Sequence, residues 1–212
     1  YLDGNDYLRI GVTNVGASSG TPANLLFAAT DNFTIDMWMN TSSAQAAGTG
    51  RFYGTVDGSS WANHNAWWIA YYYTGGVGYI HLNQASGNTD STKRVVVGNL
   101  HDSAWHHVAF VRAAAANTSM LIYVDGNYKG TITVTAIFGA NNLAVAIGAG
   151  DPVGDSGYFT GYLDQVRISK SVGFTGTATT NWGNFAQPTT IYGATSSSVL
   201  PTITMTGTTT PA

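Results

Sequence analysis

The stretch from Trp105 to Thr131, WHHVAFVRAAAANTSMLIYVDGNYKGT, constrains the fold more than any other part of this 212-residue chain. Val108, Phe110 and Arg112 alternate with Ala109 and Val111, and Leu121 and Tyr123 alternate with Ile122 and Val124. Successive strand side chains point to opposite faces, so this two-residue period predicts a pair of strands, each with one buried face. The second strand runs directly into Asp125-Gly126. That pair suits a tight hairpin turn, whose central residues need left-handed backbone. A chain organised around such hairpins is largely β.

Helix signals are missing elsewhere. Glutamate is absent, all eleven acids are Asp, and the longest Ala run is Ala113 to Ala116. Four residues cannot sustain a helix, so the run reads as the turn before the Met120 strand. Strands are expected near 7–12, 33–39, 51–56, 66–73, 77–83, 93–98, 105–112, 119–125, 128–134, 143–147 and 158–168, divided by Gly, Asn, Asp and Ser turns. Spacing of this kind predicts two antiparallel sheets packed face to face. With 44% hydrophobic and 12% aromatic residues the chain has ample surface to bury, which excludes disorder. One domain is expected over residues 1–187, with Trp182 and Phe185 pinning its return segment. Residues 188–212 are mostly Thr, Ser, Gly and Pro; they read as a linker or as an extended arm that adds a strand to a neighbour.

Charge narrows the partners. Only 9% of residues are charged, the net charge is −3, and the eight Lys and Arg are scattered. No basic stripe exists to neutralise phosphates, so nucleic acid is excluded. No apolar run approaches the ~20 residues of a membrane-spanning helix, which argues against membrane insertion. No signal peptide opens the chain, which starts at Tyr1 and reads as a processed or excised piece. Without cysteine there is no disulfide or thiol chemistry. Low charge and few lysines suit an extracellular or virion-surface setting.

Four stretches, in order, resemble the laminin-G-like, concanavalin A-like lectin/glucanase family. They are Leu2-Asp3-Gly4-Asn5-Asp6-Tyr7-Leu8, Asn32 to Trp38 (Asp36 standing where the family usually has Glu), the Trp105 to Gly126 hairpin, and Tyr158 to Ile168. The resemblance implies an all-β, two-sheet antiparallel jelly-roll sandwich across residues 1 to 172. It favours a binding module over an enzyme. Closing strands of the form Asp164-Gln165-Val166-Arg167-Ile168-Ser169-Lys170 followed by a Phe-Thr segment also resemble phage tail and fibre proteins. The motif residues read as scaffold: Trp38 and Trp105 as core aromatics, and Asp164 with Arg167 as a pair that needs a bend to meet.

The hydrolases of this fold use two carboxylates on one strand, about 5–5.5 Å apart when they retain configuration. Same-face neighbours on a strand are two or four residues apart. No two Asp residues here lie two apart, and the four-apart pair Asp151 and Asp155 sits in a Gly/Pro loop. With no Glu, the family's catalytic pattern is missing, and no catalytic residue is assigned. His106 and His107 are adjacent on a strand and face opposite ways, so they cannot chelate one ion.

The resemblance also implies calcium at the sandwich rim. Asp151 and Asp155 are the candidate ligands, with Asp57, Asn88 and Asp90 able to join in space; the competing reading is ordinary Asp-Gly turns. The Asn-x-Ser/Thr sequons at Asn32, Asn40 and Asn117 arise readily by chance in this composition.

The densest aromatic region is Trp61 to His81. If Trp67, Ile69, Tyr71 and Tyr73 face the core, then Trp68, Ala70 and Tyr72 face out. The return strand then buries Gly78, Ile80 and Leu82 and presents Val77, Tyr79 and His81. Trp61, His64, Trp68, Tyr72, Tyr79 and His81 form the candidate ligand-binding set, flat rings with polar tips on which sugar C–H faces stack. The alternative is that both faces are buried, one under a loop or neighbouring subunit.

These observations predict a non-catalytic recognition or adhesion module for a cell-surface glycan or protein, on a virion appendage or extracellular protein. A structural virion domain joining neighbours or identical copies is the alternative, and a glycan hydrolase a distant third.

Overall fold

The computed structural model describes residues 1–4, 6–10, 31–42, 45, 50–56, 67–84, 93–112, 119–133, 144–149 and 157–170. Twelve strands lie among them: β1 (Leu2–Asp3), β2 (Leu8–Ile10), β3 (Phe33–Asn40), β4 (Arg51–Val56), β5 (Trp67–Thr74), β6 (Val77–Gln84), β7 (Arg94–Val96), β8 (Trp105–Arg112), β9 (Ser119–Val124), β10 (Asn127–Thr133), β11 (Ala144–Ile147) and β12 (Thr160–Ser169). They form two six-stranded sheets, ordered β1-β12-β3-β8-β9-β10 and β2-β11-β4-β5-β6-β7. All neighbouring strands pair antiparallel. The described residues contain no helix.

Period-two alternation places the core. Phe33, Ile35, Met37 and Met39 of β3 point inward beside Val108 and Phe110 of β8 and Met120, Ile122 and Val124 of β9. From the other sheet come Phe52, Trp67, Ile69, Tyr71, Ile80, Leu82 and Val145. Sheet-on-sheet packing buries both inner faces in one cluster. Two hairpins have two-residue turns with left-handed backbone at both positions: Gly75 and Gly76 (φ 58° and 82°), and Asp125 and Gly126 (φ 49° and 75°). This turn geometry matches the twist of the flanking strands and fixes their register.

The register corrects three expectations. Trp38 and Trp105 are not core residues. Trp38 sits between the inward-facing Met37 and Met39, so it points outward, where its ring meets His107 edge-on at 5.3 Å. Trp105 occupies the outer side of the next strand, opposite Asn40, and is 46% exposed. Arg167 does not pair with Asp164; it binds Asp36, as analysed in the Discussion.

Candidate ligand-binding face

The expected alternation on β5 and β6 holds. Trp67, Ile69 and Tyr71 enter the core with Ile80 and Leu82, which turns Trp68, Ala70, Tyr72, Tyr79 and His81 to the outer face of the second sheet. One cross-strand row there reads Arg51, Ala70, His81, Arg94. The next reads Tyr72, Tyr79, Val96. A one-residue irregularity in β4 between Arg51 and Tyr53 lets Phe52 and Tyr53 both enter the core while Arg51 faces out.

The aromatic residues do not stand free. Trp68 is 4% exposed and Tyr72 is 6% exposed, against the expectation that both would be solvent-facing. Their neighbours close over them. The Arg51 guanidinium lies 4.3 Å above the Trp68 ring. The His81 ring meets Trp68 edge-on at 5.3 Å and Tyr72 at 5.9 Å. Tyr79 stacks on Tyr72 at 5.3 Å, and Arg94 caps Tyr79 at 4.5 Å while its Nη1 donates to the Tyr72 hydroxyl at 2.9 Å. Guanidinium groups favour aromatic faces, so the face is a laminate in which Arg51 and Arg94 cap the two ends of a run of contacting rings. Tyr79, His81 and Arg94 are half-buried and Val96 is exposed, and these residues form its outer surface.

The electrostatics follow from that packing. Burial, then the charges of Arg94, Lys93 and Arg51, holds the His81 imidazole down at about 4. His81 is therefore neutral at pH 7, with one ring nitrogen carrying a proton and the other able to accept a hydrogen bond. Two buried polar atoms here, Trp68 Nε1 and His81 Nε2, have no hydrogen-bond partner. An unmet buried donor is costly. Glycine beneath Arg51 leaves room for its side chain: a Cβ on Gly157 would collide with the guanidinium and force it to shift.

Of the expected site residues, Trp68, Tyr72, Tyr79 and His81 come together as described. Trp61 and His64 lie outside the described residues, as do the calcium candidates Asp151, Asp155, Asp57, Asn88 and Asp90. Among the described residues no group of three or more His, Asp or similar side chains is placed to hold a metal ion. Ser18 stands in Gly16-Ala17-Ser18-Ser19-Gly20, which matches the Gly-x-Ser-x-Gly spacing of a hydrolase elbow; it too lies outside the described residues.

Sequence reasoning missed the two arginines. Arg94 pairs with His81 across the strands, and Arg51 with Ala70. Neither is near the aromatic run in sequence, and only the β4–β5–β6–β7 order brings them to it.

The sequence matches the concanavalin A-like lectin/glucanases superfamily, through its laminin-G-type description, over residues 3–172. The chain belongs to this superfamily. Among solved structures, the fold resembles a heptameric SAP-like pentraxin from Limulus polyphemus at a TM-score of 0.52 and 17% identity, over 81% of this chain and 79% of that one. Domain 4 of an extracellular GH43 arabinanase from Geobacillus stearothermophilus, in complex with arabinotriose, gives 0.49 and 18%, over 71% and 65%. The CBM40 of a Ruminococcus gnavus IT-sialidase gives 0.48 and 17%, over 78% and 92%. No characterised protein sequence matches significantly. For this superfamily member the all-β jelly-roll expectation holds: β2 to β12 each overlap an expected strand range, and β1 (Leu2–Asp3) is a short strand outside them.

Proposed function

We propose that the chain is a non-catalytic recognition or adhesion module that binds glycan through the outer face of β5, β6 and β7. One observation carries this reading: Tyr79, His81 and Arg94 reach the surface side by side over a buried layer of Trp68 and Tyr72. A polyhydroxyl ligand offers acceptors to the Arg94 guanidinium and both donors and acceptors to the Tyr79 hydroxyl, while the Tyr79 ring supplies an apolar surface. Trp68 and Tyr72 act as the support that fixes these tips. Trp61 and His64 extend the same set in sequence.

The module belongs on an extracellular protein or virion appendage, a reading supported by its low charge and by the closing strand's resemblance to phage tail and fibre proteins. Calcium ordering the Asp151 and Asp155 loop is part of the proposal. The test is a glycan-array screen with calcium and with chelator, wild type beside Tyr79→Thr/Arg94→Gln. Binding lost in the variant supports the face, and loss in chelator adds calcium. A folded protein that binds nothing on the array would sink the reading and favour the structural virion domain.

A further inference from the structure

We propose that Tyr1, Tyr162 and Trp105 form a second ligand surface, for a neutral glycan, on the opposite side of the sandwich from the β5–β7 face. These three are among the most exposed large hydrophobic residues described, at 71%, 47% and 46%. They are also contiguous. Tyr1 and Tyr162 ring centroids are 5.0 Å apart, and those of Tyr162 and Trp105 are 6.2 Å apart.

The sheet register builds this arrangement. Tyr162 faces Asn40 across β12 and β3, and Asn40 faces Trp105 across β3 and β8. Leu2 pairs with Gly161 and packs on the core, which turns Tyr1 outward beside Tyr162. Neighbouring strands lie about 4.8 Å apart, so Tyr162 and Trp105 start roughly 10 Å apart and lean together over Asn40. The Asn40 amide is drawn aside, its Nδ2 donating to the Ser103 carbonyl at 2.8 Å. Three rings tilted by 53° to 55° make a corrugated strip running across the strands, a shape for an extended ligand.

Charge and area choose the occupant. Asp3 and Asp164 are exposed and stand two residues from Tyr1 and Tyr162 on the same side. No Lys or Arg lies in this row among the described residues; the nearest guanidinium in the register, Arg167, is bonded to Asp36. Carboxylates accept hydrogen bonds from hydroxyls and repel anions, which favours a neutral, hydroxyl-rich ligand whose C–H faces meet the rings. Half-exposed rings of this size offer on the order of 300 Å². A standard protein interface needs about 800 Å² per partner, so a second copy or a folded protein is a poorer fit.

The test screens the full chain on immobilised neutral, sialylated and sulfated oligosaccharides, then titrates neutral hits by calorimetry. Wild type is compared with Trp105→Thr/Tyr162→Thr and with Tyr79→Thr/Arg94→Gln. Threonine keeps strand preference at exposed positions, and circular dichroism checks the folding of both. Neutral-glycan affinity should fall about tenfold or more, equivalent to about 1.4 kcal/mol, in the Trp105/Tyr162 variant, independently of any loss that Tyr79→Thr/Arg94→Gln causes at the β5–β7 face. Neutral binding that survives Trp105→Thr/Tyr162→Thr, or its absence in folded wild type, overturns the inference. Loss confined to Tyr79→Thr/Arg94→Gln also overturns it while supporting the β5–β7 face. A dimer that dissociates on Trp105→Thr/Tyr162→Thr in sedimentation velocity would assign the surface to a second copy and overturn the glycan.

Discussion

Arg167 binds Asp36, not Asp164, although Asp164 is three residues away on its own strand. Its Nε donates to Asp36 Oδ1 at 2.8 Å and its Nη2 to Oδ2 at 3.2 Å; His107 Nε2 lies 3.1 Å from the same Oδ2. A bulge makes the contact possible. Asp164 pairs with Trp38 and Arg167 with Asp36, so β12 spends one residue more than β3 over the same span, with Gln165 left-handed at φ 48°. The extra residue returns Arg167 to the outer face that Asp36 shares.

Asp36 and His107 have no solvent exposure, so the Asp36 charge depends on its partners. Arg167→Met should lower stability by about 3 kcal/mol, because it removes both guanidinium hydrogen bonds from a buried carboxylate. Asp36→Asn/Arg167→Met, which removes the charge as well, should be more stable than Arg167→Met alone. Urea unfolding of both variants checks the order. A double variant that is the less stable of the two would refute the account.

His106 is held by two carboxylates, with Nδ1 2.8 Å from Asp125 and Nε2 3.1 Å from Asp102. Burial opposes its charge, but Asp125 and Asp102 outweigh burial and raise its pKa. The folded value lies above the unfolded one of about 6.5, so the folded state binds more protons there. This stabilisation is full below about pH 6.5 and is lost as pH rises through the folded pKa. Relative to His106→Gln, wild type should therefore lose stability across that rise. Equal slopes in the two proteins would refute the clamp.

The strand positions were legible because alternation and turn residues are local signals. Asp125-Gly126 and Gly75-Gly76 set two hairpins, and Met37 and Met39 reveal the inward parity of β3. The same parity, applied strictly, turns Trp38 outward; treating a large aromatic residue as core by type alone gave the wrong side. Site exposure was less legible. Parity alone assigns Trp68 and Tyr72 to the outer face they occupy, yet Arg51 and Arg94 approach them from other strands through pairings that leave no mark near the aromatic run. The Tyr1, Tyr162 and Trp105 cluster has the same origin, since its members come from three separate strand ends or neighbours.

His81 should show the opposite pH response to His106. Its folded pKa of about 4 lies below the unfolded value of about 6.5. Between these values the unfolded chain binds more protons, so stability falls as pH drops from about 6.5 toward 4. His81→Gln should flatten this acid slope. Imidazole proton resonances provide a direct check, and a His81 signal titrating near its ordinary value would contradict the packing described.

Gly157→Ala tests the laminate itself without touching any proposed contact. A Cβ at Gly157 would strike the Arg51 guanidinium and side-chain stem, and Arg51 rests on the Trp68 ring. Overpacking of this kind costs about 1–3 kcal/mol. The guanidinium must shift, which opens Trp68 to water. A red shift in tryptophan emission should accompany the lower stability, and acrylamide should quench that emission more strongly than in wild type. If stability drops but emission and quenching stay at wild-type values, Gly157 carries a packing role only and Arg51 does not shield Trp68. If both change together, the cover over the β5–β7 face is the Arg51 side chain, and Arg51→Ala should reproduce the spectroscopic change without the overpacking.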